Sequence, residues 1–250
     1  MAAKHGGDSI VQFESVGFRY GNGPEILRDI TFFLNRGSFH FLTGPSGAGK
    51  TSLLRLMYLA MKPTRGLITL FGHDLSTVGR RQLPALRRQI GVVFQDFRLI
   101  GHISVFDNVA LPLRIVATPE DEVRRCVREL LDWVGLCDVA DVRPAVLSGG
   151  QQQLVAVARA VIGRPNLLLA DEPTGSVDDP TGRKLMYLFA ELNRLGTTVF
   201  VATHNQELVI RSGFPRFWLE HGTLRCEPDG QAGVRDKEKT MAAVGVAGGD

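Results

Sequence analysis

Residues 44–51 read GPSGAGKT, and this octapeptide constrains the chain more than any other segment. It matches G-x-x-x-x-G-K-[ST], a loop whose glycines let successive backbone N–H groups turn inward around phosphates. Such a loop works only between a buried strand and a helix, whose N-terminus adds partial positive charge. Both flanks are present, with an apolar stretch over 38–43 ahead of the loop and a helical pattern over 49–61 behind it. Gly44, Pro45, Ser46, Gly47, Ala48, Gly49, Lys50, Thr51 and Ser52 are therefore predicted to surround the phosphates. Lys50 can reach β- and γ-phosphates, and the Thr51 hydroxyl is a suitable ligand for Mg²⁺.

A second motif completes the chemistry. LLLADEP at 167–173 is an apolar strand ending in two acids. Asp171, at the strand end, is placed to hold Mg²⁺, and Glu172 beside it to polarise an attacking water. Acid pairs after strands are common and usually just solvated. Together with the loop, this one reads as a nucleotide triphosphatase.

The surrounding pattern is α/β. Rough alternation over 10–20 and 27–34 predicts an antiparallel pair turning at GNGP, 21–24. Further strands are predicted over 66–71, 90–94, 166–170 and 197–202, with a helix over 181–195 and a final hairpin over 214–225. From about 96 to 162 the strand patterns give way to amphipathic helices, which predicts an inserted helical subdomain. In TPEDEVRRCVRELLDWVGL, Thr118 is the predicted N-cap, with Pro119 at the first helical position and acids in the first turn. Arg80, Arg81, Arg87 and Arg88 flank Leu83 and Leu86 on a predicted solvated helix face. Residues 1–226 read as one domain. The stretch 227–250, rich in Gly, Ala and charge, reads as a disordered tail.

Composition excludes several classes. The 250 residues are 44% hydrophobic and 22% charged, the mix of a globular protein. A net charge of +3 is too small to predict nucleic-acid binding. Cys126, Cys137 and Cys226 show no CxxC spacing, so free thiols are expected rather than a zinc site or disulfides. The first ten residues lack the apolar core of a signal peptide. No uninterrupted apolar run reaches the roughly 18 residues of a membrane span, because Asp107, Arg114 and Arg159 break the nearest candidates.

Three further segments carry a family resemblance. LSGGQQQ at 147–153 resembles the signature motif of ATP-binding cassette (ABC) ATPases, VVFQD at 92–96 their glutamine loop, and ATHN at 202–205 their switch-histidine loop. The order Lys50, Gln95, Ser148, Asp171, His204 is also similar, and the likeness spans about 10–225. It implies a P-loop NTPase of ABC type, with a mixed sheet core, an antiparallel β subdomain and an inserted α-helical subdomain. It implies ATP and Mg²⁺ as cofactors and hydrolysis as the activity. Tyr20 stands where the family stacks an aromatic on adenine, an ordinary strand aromatic being the alternative. Gln95 is implied to touch Mg²⁺ or the attacking water, and His204 to contact the γ-phosphate and position Glu172. Ser148, Gly149, Gly150 and Gln151 are implied to complete the ATP pocket of a second copy, with Asp178 of the D-loop beside them. One phosphate loop and one signature motif per chain then require a head-to-tail homodimer. The chain departs from the commoner pattern at Leu154, where Arg is usual, in the D-loop Ser176-Val177-Asp178, and at Asn205, where Asp is frequent.

Within the family, residues 82–113, above all FQDFRL, together with ADEPTGSVDD resemble the cell-division cassettes of FtsE type. That resemblance implies a peripheral ATPase on the cytoplasmic side of the cell membrane. Its implied partner is an FtsX-type membrane protein, in two copies, through which it acts on regulators of peptidoglycan hydrolases. Phe97, Leu99, Ile100, Ile103 and Val105 could line a groove for the partner's helix, or belong to the core of the helical lobe. A lipoprotein-releasing or exporter ATPase and a nucleotide-gated scaffold are the competing functions.

Overall fold

The computed structural model describes residues 8–175 and 177–227. The N-terminal strands β1 (Ser9–Phe18) and β2 (Leu27–Asn35) pair antiparallel, and β1 also pairs with β4 (Arg65–Leu70), which meets the two-residue β5 (His73–Asp74). The resulting four-stranded antiparallel sheet, in the order β2-β1-β4-β5, covers one face of the molecule.

The central sheet has six strands in the order β10-β9-β3-β8-β7-β6. β3 (Phe39–Thr43), β6 (Ile90–Val93), β7 (Leu167–Asp171) and β8 (Thr198–Ala202) run parallel, as does β9 (Arg216–Glu220) beside β3. β10 (Thr223–Glu227) closes the edge antiparallel to β9, so the sheet is mixed. The inner strands read as continuous apolar runs because both of their faces are covered. Their two-residue period divides the core. Leu42, Leu167, Leu169 and Phe200 face the antiparallel sheet and helix α1 (Lys50–Met57). Phe41, Leu168, Ala170, Val199 and Val201 face the helices on the other side.

Those helices are α3 (Val105–Ile115), α4 (Glu120–Val134), α5 (Gly149–Val161) and α6 (Asp179–Arg194), while the short α2 (Leu83–Arg87) precedes β6 and α7 (Gln206–Ser212) follows β8. Leu86 of α2 is buried among exposed arginines, and Arg87 donates to the Leu59 carbonyl at 2.8 Å. Predicted boundaries move where local geometry intervenes. The phosphate-loop helix stops at Met57, four residues short of expectation, because Leu59 takes a left-handed φ of 63°. Thr118 is not the N-cap of α4. Its N–H is spent on the Leu113 carbonyl at the end of α3, behind a left-handed Ala117, and Pro119 takes the cap position by accepting from Val123. α6 begins two residues earlier than 181, because the Asp178 carboxylate accepts from the Thr181 N–H at 3.1 Å. Glu227, the first residue of the predicted tail, pairs with Arg216 as the last residue of β10, and 228–250 lie outside the described residues.

Candidate nucleotide-binding site

Parallel strands present their C-terminal ends along one edge, where α/β sheets bind ligands. Four predicted groups arrive there by register. β3 runs into the glycine loop, β7 ends at Asp171, β8 leads to His204, and β6 leads to Gln95, with Val93 paired to Ala170 and Ala170 to Val201.

The loop requires glycine for different reasons at different positions. A Cβ on Gly44, at φ 145°, would lie 2.0 Å from the Leu219 carbonyl oxygen of β9, so only hydrogen fits there. Gly47, at φ 78°, has nothing within 4 Å, which leaves its backbone open to a ligand. Beneath the loop the Lys50 ammonium donates to the carbonyls of Gly44 at 2.9 Å and Pro45 at 3.2 Å. Ser52 of α1 is buried, and its hydroxyl lies 3.1 Å from the Tyr20 hydroxyl, which also accepts from Arg55 at 3.0 Å. Phe18 meets the Tyr20 ring in a T-shaped contact at 4.8 Å. Tyr20 is thus held over the start of α1 by its edge and its hydroxyl, and remains 39% exposed.

Asp171 ends β7 and Thr51 opens α1 just behind the glycine loop, and Thr51 is near enough to Asp171 to favour its charged form. Burial pushes the Asp171 carboxyl above its ordinary range, and the neighbouring Glu172 charge adds to the rise against Thr51, Lys50 and Arg55. A hydroxyl and a buried carboxylate with excess negative charge beside them are the hard oxygen donors Mg²⁺ takes, the remaining positions going to phosphates and water. The residues present therefore fit the ion.

Glu172 adopts a left-handed φ of 48°, which its N–H stabilises by donating to Ala202 at 2.8 Å. That turn brings its carboxylate to the end of β8. One oxygen accepts from the His204 backbone N–H at 3.2 Å and lies 2.9 Å from His204 Nδ1. The glutamate side chain is only 12% exposed and the histidine 70%, so the imidazole projects outward from the pair. Asn205, where Asp is frequent, caps α7 by accepting from Leu208 at 3.0 Å.

Ser148, Gly149 and Gly150 start α5. Ser148 accepts from the Gln151 N–H, and the Gln151 side chain accepts from the Ser148 N–H at 3.0 Å, a reciprocal capping box. Gln151 therefore holds Ser148 in place, while Ser148 and Gly149 are exposed. Asp178 caps α6, and its bond to Thr181 holds its carboxyl below the ordinary range. Ser176 lies outside the described residues. Leu154, in place of the usual Arg, is 7% exposed in the helical core.

The segment after Gln95 divides. Val105 is fully buried in the core and lines no groove, because it opens α3, which packs against α4 and α5. Leu99 packs against that core, while Phe97, Ile100 and Ile103 stay half-buried. Two residues that hold this segment escaped the sequence reading. Asn108, fully buried, accepts from the Ile100 N–H at 2.8 Å and donates to the carbonyls of Ile100 and Ser104. Arg159 donates to the carbonyls of Phe97 and Arg98. An arginine inside the apolar run LVAVARAVI was the available signal.

Comparison with known proteins agrees with this geometry. Residues 27–175 match the family model described as "ABC transporter". The chain is 45% identical over 215 residues to the cell division ATP-binding protein FtsE of Escherichia coli K12, covering 86% of this chain and 97% of that protein. It is 39% identical to FtsE of Bacillus subtilis, over 91% of this chain and all of that protein. Among solved structures, a dimeric ATP-binding cassette in a post-hydrolysis state bound to ADP and Pi is 34% identical with a TM-score of 0.80, over 87% of this chain and 98% of that one. The cassette cbiO1 of Clostridium perfringens is 28% identical with a TM-score of 0.82, over 95% of each chain. A phosphate loop, an acid pair and a following histidine at one sheet edge, together with these matches, establish that the chain belongs to the ABC transporter ATPase family and, within it, to the FtsE cell-division ATP-binding proteins.

Proposed function

We propose that two copies of the chain sandwich two Mg²⁺-ATP molecules head to tail, and that the cycle is read by an FtsX-type membrane partner. The single observation that carries the hydrolytic reading is the Glu172–His204 pair, 2.9 Å apart at the edge where β7 ends in Asp171.

The residue roles follow from position. Inward N–H groups of 44–51 and the Lys50 ammonium bind the β- and γ-phosphates, and Tyr20 offers its exposed ring to adenine. Thr51 and Asp171 would hold Mg²⁺, with Gln95 approaching from the end of β6. The ion supplies charge neutralisation on the β- and γ-oxygens. Glu172 orients a water and draws its proton as the water oxygen bonds to the γ-phosphorus. The bond to the β–γ bridging oxygen breaks, and ADP and phosphate leave. His204 holds Glu172 and faces the γ-phosphate. The exposed N-terminus of α5, with Ser148, Gly149 and Gly150, and the Asp178 loop serve the ATP of the other copy. The dimeric state of a similar cassette bound to ADP and Pi supports this pairing.

No helix of the described residues is long and apolar enough to cross a membrane. In this reading the chain is held peripherally on the cytoplasmic side of the cell membrane by its partner, with two partner copies per dimer. Through them it acts on regulators of peptidoglycan hydrolysis. FtsE relatives, one of them 45% identical over 97% of its length, support that assignment over an exporter or a scaffold. Sedimentation of Glu172→Gln with saturating Mg-ATP should show a dimer, and a strict monomer would sink the sandwich. Pull-down from solubilised membranes should recover an FtsX-type protein. Recovery of an exporter permease instead would overturn the division role.

A further inference from the structure

Phe97 and Arg98, two and three residues beyond Gln95, are consecutive non-glycine residues at positive φ, 56° and 49°. Left-handed backbone at two successive side-chain-bearing positions persists only where surrounding contacts hold it. One such contact is local, the Arg98 guanidinium lying over the Phe94 ring at 4.1 Å and pairing with Asp96 at 3.1 Å. The other comes from 61 residues away. Arg159 of α5 donates from Nη1 to the Arg98 carbonyl at 2.7 Å and from Nη2 to the Phe97 carbonyl at 2.8 Å. Burial draws the Arg159 guanidinium below its ordinary pKa, with no carboxylate offsetting the effect. A cation is desolvated here to grip two backbone carbonyls, and the planar fork of arginine suits two adjacent acceptors.

The helix that carries this grip matters. Gly149, the first residue of α5, lies ten residues before Arg159, about 15 Å along the axis at 1.5 Å per residue. The capping box locks Ser148 to that same helix end. We propose that Arg159 is a positioning residue that ties the loop carrying Gln95 to the helix presenting Ser148, so that both segments move as one body. Asn108 anchors only the later part of the loop, at Ile100 and Ser104, so Arg159 alone reaches the carbonyls nearest Gln95 among the described side-chain bonds. The inference rests on the ATP-sandwich reading, in which Gln95 serves one nucleotide and Ser148 the other.

The test compares Arg159→Lys and Arg159→Gln with the unaltered chain, each alone and with Gln95→Ala. A single ammonium cannot hold both carbonyls in a planar fork, so Arg159→Lys should lower kcat for ATP about tenfold while KM stays within about twofold. In the Gln95→Ala background the same change should add no further loss, because the tie then has nothing to transmit. An unchanged kcat, losses that multiply independently of Gln95→Ala, or a fall in kcat matched by KM and melting temperature would each overturn the proposal. If Arg159→Gln fails to fold, Arg159→Lys still reports. A Glu172→Gln chain that stays monomeric with ATP would defeat the sandwich itself, whereas normal dimerisation with unaltered Arg159→Lys turnover would defeat only the tie.

Discussion

One oxygen of Glu172 lies against two polar groups of His204, the backbone N–H at 3.2 Å and the imidazole Nδ1 at 2.9 Å. The carboxylate that would orient the attacking water is therefore positioned by the same residue that would face the γ-phosphate.

Glu172→Gln keeps the acceptor that His204 needs and removes the base. Turnover should fall about 10²–10⁴-fold, the usual worth of a positioned general base, with nucleotide affinity retained. Steady-state hydrolysis beside equilibrium nucleotide binding checks this. His204→Ala should lower kcat with little change in melting temperature, because the imidazole is largely exposed.

Gly44→Ala and Gly47→Ala should separate folding from binding. The first places a Cβ 2.0 Å from a backbone oxygen and should cost about 4 kcal/mol or more, or prevent folding. The second meets open space and should cost only about 1–2 kcal/mol for its positive φ, while weakening phosphate binding. Denaturant midpoints and nucleotide titrations distinguish the two.

Asp171 gives a pH dependence of defined sign. Burial raises its native pKa above the ordinary 3.8. Ionisation is then disfavoured in the native state, so the carboxyl destabilises the magnesium-free protein increasingly as pH rises from that value through the native pKa. Asp171→Asn should therefore raise the melting temperature at pH 7 in the absence of Mg²⁺, with the gain shrinking as pH falls toward 4. The same substitution should remove Mg²⁺-dependent hydrolysis. A variant less stable than the unaltered chain at pH 7 would contradict this account.

Asn108→Ala should cost about 2–3 kcal/mol, because it strands the Ile100 N–H and two carbonyls in partly buried surroundings. Hydrogen exchange should show residues 98–104 opening first, while α1 keeps its protection.

How much of this was legible depends on whether a signal is local. The loop 44–51, the acids at the end of 167–171 and the order of the later motifs announce themselves in contiguous residues, because phosphate binding needs particular residues at set spacing. Helix ends were less legible. Thr118 is a good cap by type, but α4 starts one residue later than expected, at Glu120 with Pro119 in the cap position, and Asp178 captured the start of α6 ahead of Thr181. Val105 could be read as groove lining or as core, because apolar residues read alike whether they face a core or a partner.

The chain's residues alone thus name the candidates for handling phosphate, metal and water, and the kinds of element on which they sit. Only the tertiary structure decided their mutual geometry. The register of β3, β6, β7 and β8 brings four distant segments to one edge, a left-handed turn at Glu172 aims its carboxylate at His204, and an arginine 61 residues from Arg98 grips the loop beyond Gln95. Residue type carries reactivity within a few positions of chain, whereas distance between segments is set by sheet pairing and by buried polar groups that must find a partner somewhere in the fold.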